Sequence, residues 1–108
     1  MPTDVRTILI TAPDASTGER LGRALVQERL AACANIVPGV VSVYWWQGDV
    51  HRDTEVLIIV KTTQDRVEAV RARVVELHPY DVPEVLALSV DAGHSPYLDW
   101  VRSEATGS

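Results

Sequence analysis

The run Val56-Leu57-Ile58-Ile59-Val60 carries an apolar side chain at every position. Successive side chains of a strand point to opposite faces, so a strand built from this run presents apolar surface both ways and must be covered both ways. Val85-Leu86-Ala87-Leu88-Ser89-Val90 repeats the demand, interrupted only by Ser89. The chain that must supply the cover has 108 residues. That suffices for one core and hardly for two, since domains usually run to roughly 100 to 150 residues. Much of what the chain can fold into is decided by where the second cover comes from.

The remaining elements can be read around these runs. Arg6 to Thr11 is a short β-rich stretch that stops at Pro13-Asp14, a turn signal. Ser16-Thr17-Gly18-Glu19 matches a capping box, and Leu21, Ala24 and Leu25 follow at helical spacing, which predicts a first helix from about Thr17 to Leu30. Ala34 to Trp46 is rich in Val, Tyr and Trp around a single Pro38-Gly39, and reads as a long or bent strand. Gln47-Gly48-Asp49 supplies a glycine for a hairpin turn, and Thr54 to Thr62 returns as the partner strand. Asp65 and Glu68 form a second capping pair ahead of Val67, Val70, Val74 and Leu77, whose spacing predicts a helix stopped by His78-Pro79. Val85 to Val90 is the fourth strand, and Pro96 to Arg102 a short helix begun by a proline.

The order β-α-β-β-α-β is the ferredoxin-like pattern of two split βαβ units, an α+β sandwich with both helices on one face of the sheet. Two helices cover one face. The second cover is therefore expected from another copy of the chain or from a partner. Residues 1–103 read as a single domain and 104–108 as a polar tail.

Ten Lys and Arg stand against 15 Asp and Glu, a net charge of -5. Such a surface repels nucleic-acid phosphates and anionic lipid, and no basic run concentrates the opposite sign, so neither nucleic acid nor membrane is expected as a partner. Met1 to Arg6 carries an acid where a secretory signal has a basic stretch and an apolar core. The one cysteine, Cys33, has no partner for a disulfide within the chain, which fits a reducing cytoplasm.

Five blocks in order along nearly the whole chain carry a family resemblance: Leu30-Ala31-Ala32-Cys33-Ala34-Asn35, Tyr44-Trp45-Trp46-Gln47-Gly48, Glu55 with Lys61-Thr62, His78-Pro79-Tyr80-Asp81-Val82-Pro83-Glu84, and Tyr97-Leu98-Asp99-Trp100. Together they resemble the divalent-cation tolerance protein CutA family. Ala34 stands where Val is commoner in that family, and Asp81 where Glu is. The resemblance implies a homotrimer of ferredoxin-like subunits, similar in shape to PII signalling proteins, with clefts between subunits. It also implies divalent metal tolerance and copper binding, with Cu2+ or another divalent metal as ligand and no obligatory cofactor. The PII-like shape implies an alternative, a small-molecule sensing or regulatory module that uses the same clefts.

The residues for a site are then Cys33, His78 and Glu84 as metal ligands, with Trp46, Lys61 and Tyr80 lining the cleft. Cys33 offers a thiolate suited to Cu(I) or Zn(II), although a lone cysteine after a helix of small residues is more often an apolar filler. His78 serves equally well as a helix C-terminal residue, where an imidazolium interacts favourably with the helix dipole. Tyr80 and Glu84 share its loop, which Pro79 and Pro83 restrict. Trp45 and Trp46 must face opposite ways on a strand, one toward the core and the other toward a cleft or a neighbour. Glu55 and Lys61 share a face but lie about 20 Å apart at 3.3 Å per residue, too far to pair. No ligand spacing for a closed metal site occurs, so a site is expected to be assembled across subunits. A glycine-rich oxyanion or phosphate loop is missing, and no third residue orients Cys33 and His78 as a nucleophile and base, so the chain reads as a non-enzyme.

Overall fold

The structure, a computed structural model, describes residues 1–106. A four-stranded antiparallel sheet is built from β1 (Val5–Ala12), β2 (Cys33–Trp46), β3 (Asp49–Thr63) and β4 (Leu86–Ser89), in the spatial order β2-β3-β1-β4. Helix α1 (Ala15–Gln27) joins β1 to β2, and α2 (Val67–Leu77) joins β3 to β4 after a short 3-10 turn at Gln64–Arg66. Helix α3 (Ser95–Glu104) closes the chain. The βαββαβ order and the α+β class are those read from the sequence. Among the described residues no helix is long and apolar enough to cross a membrane.

Alternation along β3 sorts the core. Val56, Ile58 and Val60 face α1 and α2, and their register partners Ile8, Ile10 and Ala12 on β1 join Leu21, Leu25, Val70 and Val74 in one buried cluster. Helix α1 comes close to the sheet because it presents glycine at the contact. A Cβ on Gly18 would lie 2.8 Å from Val56 Cγ2, and one on Gly22 3.1 Å from the Ala34 Cβ. The opposite face carries Leu57 and Ile59, paired with Thr11 and Leu9, and then Leu86 and Leu88 on β4. Helix α3 covers one end of it, where Leu98, Val101 and Ala105 bury Val5 and Ala32. Part of the second cover thus comes from the chain's own C-terminal helix, which the two-helix reading did not allow for. Leu86 and Leu88 remain exposed.

Several local expectations need correction. The cap of α1 is Asp14, whose Oδ1 accepts from the Thr17 N–H at 2.8 Å and whose pKa that bond lowers. Ser16 lies inside the first turn and Glu19 pairs with Arg23 instead. Asp14 stands three residues before an unpaired helical N–H, so it captures the cap ahead of Ser16. Asp65 and Glu68 do not cap α2 either: Asp65 accepts from the Thr63 hydroxyl within the 3-10 turn, and Glu68 binds Arg71. The hairpin is longer than read, β3 starting at Asp49, because Gln47 and Gly48 both take positive φ (52° and 84°), as a two-residue type I′ turn requires. Helix α3 extends into the expected tail through Glu104, and Ala105 is buried; residues 107–108 of that tail lie outside the described residues.

The Pro38-Gly39 interruption proves to be a bulge. Val37 pairs with Leu57 but Val40 pairs with Glu55, so β2 spends one residue more than β3 across the gap, and Gly39 takes φ 75°. Before the bulge the odd residues of β2 share the face opposite α1 and α2; after it the even residues Ser42, Tyr44 and Trp46 do. Neither tryptophan is core in one chain. Trp45 is 74% exposed and Trp46 46%.

Candidate functional site

A cleft of about 660 Å³ opens on the sheet face opposite α1 and α2, between the β2–β3 hairpin and the loop from α2 to β4, lined by Tyr44, Trp46, Glu55, Tyr80, Asp81 and Glu84 among others. The bulge brings Tyr44 and Trp46 to it. The loop is brought by His78. Its backbone is extended (ψ 139°), as the residue before Pro79 must be, and α2 ends there. The buried ring then ties the loop to the sheet: Nε2–H donates to the Thr11 carbonyl at 2.7 Å, and Nδ1 accepts from the Tyr80 N–H at 3.1 Å. One nitrogen donating and the other accepting define a neutral imidazole.

Tyr80 carries the connection onward. Its ring packs on His78 with centroids 4.6 Å apart, and its hydroxyl donates to Glu55 Oε2 at 2.7 Å. Burial and that acidic partner raise the Tyr80 pKa, which keeps it a proton donor. Glu55 is only 8% exposed, yet it lines the cleft. Glu84, at the exposed rim, is held above the ordinary carboxyl range by partial burial and then by the charge of Glu55. Among the described residues no Lys or Arg forms an ion pair with either glutamate. Further along the hairpin Tyr44 donates to Asp53 and stacks on His51.

The residues expected at the site fall into two groups. Trp46, Tyr80 and Glu84 meet in the cleft, with His78 beneath Tyr80. Cys33 and Lys61 lie elsewhere, as register partners where β2 begins. The Lys61 ammonium donates to the Asn35 side-chain oxygen, and the Cys33 thiol points at the same oxygen from 3.8 Å. Lys61 pairs with neither Glu84 nor Glu55 in its own chain. Cys33 is half-buried beside Tyr97, whose pKa is raised by burial and by that neighbour. Among the described residues no three His, Cys, Asp or Glu side chains are grouped so as to hold a metal ion. Sequence reasoning passed over Glu55 as a site residue. The available signal was its position directly ahead of an all-apolar run, where a carboxylate sits at the edge of the core.

Fold and cleft define a small α+β protein whose sheet carries, on the face opposite α1 and α2, an acidic, aromatic-walled cleft. Comparison with known proteins is specific: the family model described as CutA1 divalent ion tolerance protein matches residues 6–104. The chain belongs to that family. It is 51% identical over 100 residues to the "Divalent-cation tolerance protein CutA" of Thermus thermophilus, covering 93% of this chain and 96% of that protein. It is 44% identical to "Protein CutA 1, chloroplastic" of Oryza sativa, covering 94% of this chain but 57% of the rice protein, so it spans little more than half of that relative. The crystal structure of CutA from Xylella fastidiosa superposes with a TM-score of 0.94 at 42% identity, covering 96% of this chain and 100% of that one. The family description speaks for divalent cation tolerance and does not favour the small-molecule sensing alternative. A chloroplastic relative shows that the family is not tied to one compartment.

Proposed function

We propose that this chain is a divalent-metal-binding tolerance protein that acts as a homotrimer and performs no catalysis. The observation that carries the reading is the pair Glu55 and Glu84 in one cleft, with no basic partner among the described residues of their own chain. A buried carboxylate with a second one at its rim favours a bound cation, which offsets their mutual repulsion. One chain brings two carboxylates to the cleft, so further ligands come from water or from another copy. Cys33 and Lys61 belong to the cleft as residues of a neighbouring subunit, and His78 acts by holding Tyr80 rather than by ligating. Cu2+ fits best, because it heads the affinity order for oxygen and nitrogen ligands, and a Cys33 thiolate would extend the site to Cu(I). A reducing compartment such as the cytoplasm keeps that thiol free.

Calorimetric titration with CuCl2 and ZnCl2 tests the reading. Glu84→Gln is expected to weaken binding about tenfold, the order of a charge-assisted contact. Affinity is expected to rise with pH above the ordinary carboxyl range, because the raised Glu84 pKa keeps that group protonated longer and only the ionised form binds metal. The same shift means that the folded chain retains a proton the unfolded chain gives up, so in the apo protein this group's contribution to stability declines as pH rises through that window. Metal binding unchanged by Glu84→Gln and independent of pH would overturn the assignment. Light scattering is expected to give three times the 11.9 kDa chain mass. A single-chain mass at every concentration would remove the trimer.

A further inference from the structure

The loop that joins α2 to β4 hangs on few bonds. Among the described residues, two hydrogen bonds hold residues 79–85, and Tyr80 makes both: its N–H donates to His78 Nδ1 and its hydroxyl to Glu55. His78 in turn hangs on β1. The β1–β4 register ends at Leu9↔Leu86, and Thr11 stands beyond it, where its carbonyl accepts from the ring at 2.7 Å. A carbonyl can only accept, so Nε2 carries the hydrogen and Nδ1 keeps the lone pair that the Tyr80 N–H needs.

Protonation removes that lone pair. An imidazolium donates from both nitrogens, so Nδ1–H would meet the Tyr80 N–H donor against donor, and the bond is lost. His78 is buried, where a charged ring with an unmet donor is costly. The closed loop therefore holds the neutral ring, whereas an open loop accepts either form. Opening takes up a proton, so acid favours it. Among the described residues no Asp or Glu forms an ion pair with the ring to hold an imidazolium in place. The charged and titratable groups around it are Glu55 on β3, reached through Tyr80; Tyr44 and Asp53 on the hairpin, which act on Tyr80; and Asp81 and Glu84 on the loop. On α2, Arg73 pairs with Glu76 and with Glu28, and β1 offers only the Thr11 carbonyl.

We infer that His78 is a pH-sensitive latch: neutral, it pins the 79–85 loop to β1, and on protonation it releases Tyr80, which leaves Glu55 and takes one wall of the cleft with it. The latch works in the same way whether a metal ion or a neighbouring chain occupies the cleft.

The test is NMR of the 15N-labelled oligomer between about pH 8 and 5, the span in which imidazoles ordinarily titrate. Imidazole 15N shifts report the His78 tautomer and its protonation, and the Tyr80 amide reports the loop. At the upper end His78 is expected as the neutral Nε2–H tautomer. As it gains the second proton, protection of the Tyr80 amide from exchange, corrected for the intrinsic pH dependence, is expected to fall about tenfold while the amides of β1 and β3 keep theirs. His78→Gln, which retains one donor and one acceptor but does not titrate, is expected to hold the loop closed across the range. Should that variant fail to fold, Glu84→Gln is expected to keep the acid opening, since the proton that matters is on the ring. An Nδ1–H tautomer at high pH, or a second proton on His78 with the Tyr80 amide unmoved, would overturn the inference. So would a ring that stays neutral under a closed loop down to pH 5, an opening that persists in His78→Gln, or one that vanishes in Glu84→Gln. Opening that accompanies a fall of the oligomer to the 11.9 kDa chain mass would also overturn it, because the loop would then follow dissociation.

Discussion

Ile58→Ala is expected to lower the unfolding free energy by about 3 to 4 kcal/mol, read from the shift in urea midpoint at constant slope. Ile58 is fully buried at the centre of β3, between Ile10 on β1 and Ile36 on β2, and beneath the glycine face of α1. Truncation removes three methyl or methylene groups and leaves a void. Collapse of α1 into that void is limited, since the helix already stands as close as Gly18 and Gly22 permit. A loss under about 1 kcal/mol would mean that the site relaxes freely, and that the core is less tightly packed than its burial implies.

His78→Ala is expected to cost about 2 to 4 kcal/mol, because it strips a partner from two backbone groups at once, the Thr11 carbonyl and the Tyr80 N–H. It also removes the ring on which Tyr80 rests. Hydrogen exchange should show the loop of residues 78–85 opening well before the sheet does. The measurement separates two roles. A ligating histidine would lose metal affinity on substitution while stability changed little; the residue described here loses stability first, and metal affinity only as Glu55 loses its Tyr80 partner. Unchanged stability with abolished metal binding would restore His78 as a ligand.

Element order was legible because it rests on period and punctuation. The 3.6-residue recurrence of Val67, Val70, Val74 and Leu77, and the stop at His78-Pro79, reappear as α2 with Val70 and Val74 fully buried. The caps were less legible, because Asp14 and Ser16 both satisfy the chemistry of an N-cap and only the chain's entry angle decides between them. The site was half legible. The Tyr80 to Glu84 loop and Trp46 follow from a rigid loop and a strand aromatic, but Glu55 becomes conspicuous only when Tyr80, 25 residues away, bonds to it. His78 illustrates the limit most clearly. Sequence gives an imidazole at a helix end, and which of its nitrogens carries the proton depends on a carbonyl 67 residues distant.

The bulge at Pro38-Gly39 divides the chain into two registers that share one strand. Ahead of it, the side chains of β2 are phased with the core, so alternation there is dictated by α1. Beyond it, the phase is reversed, and alternation answers to the cleft on one side and to solvent or a neighbour on the other. The inversion frees the hairpin from the bargain that binds the rest of the sheet. Tyr44 and Trp46 can be exchanged for other cleft walls, or Val43 and Trp45 for other outward contacts, with no repacking beneath the helices. Recognition and folding are written in separate reading frames of a single strand, and the extra residue at the bulge is the frameshift between them.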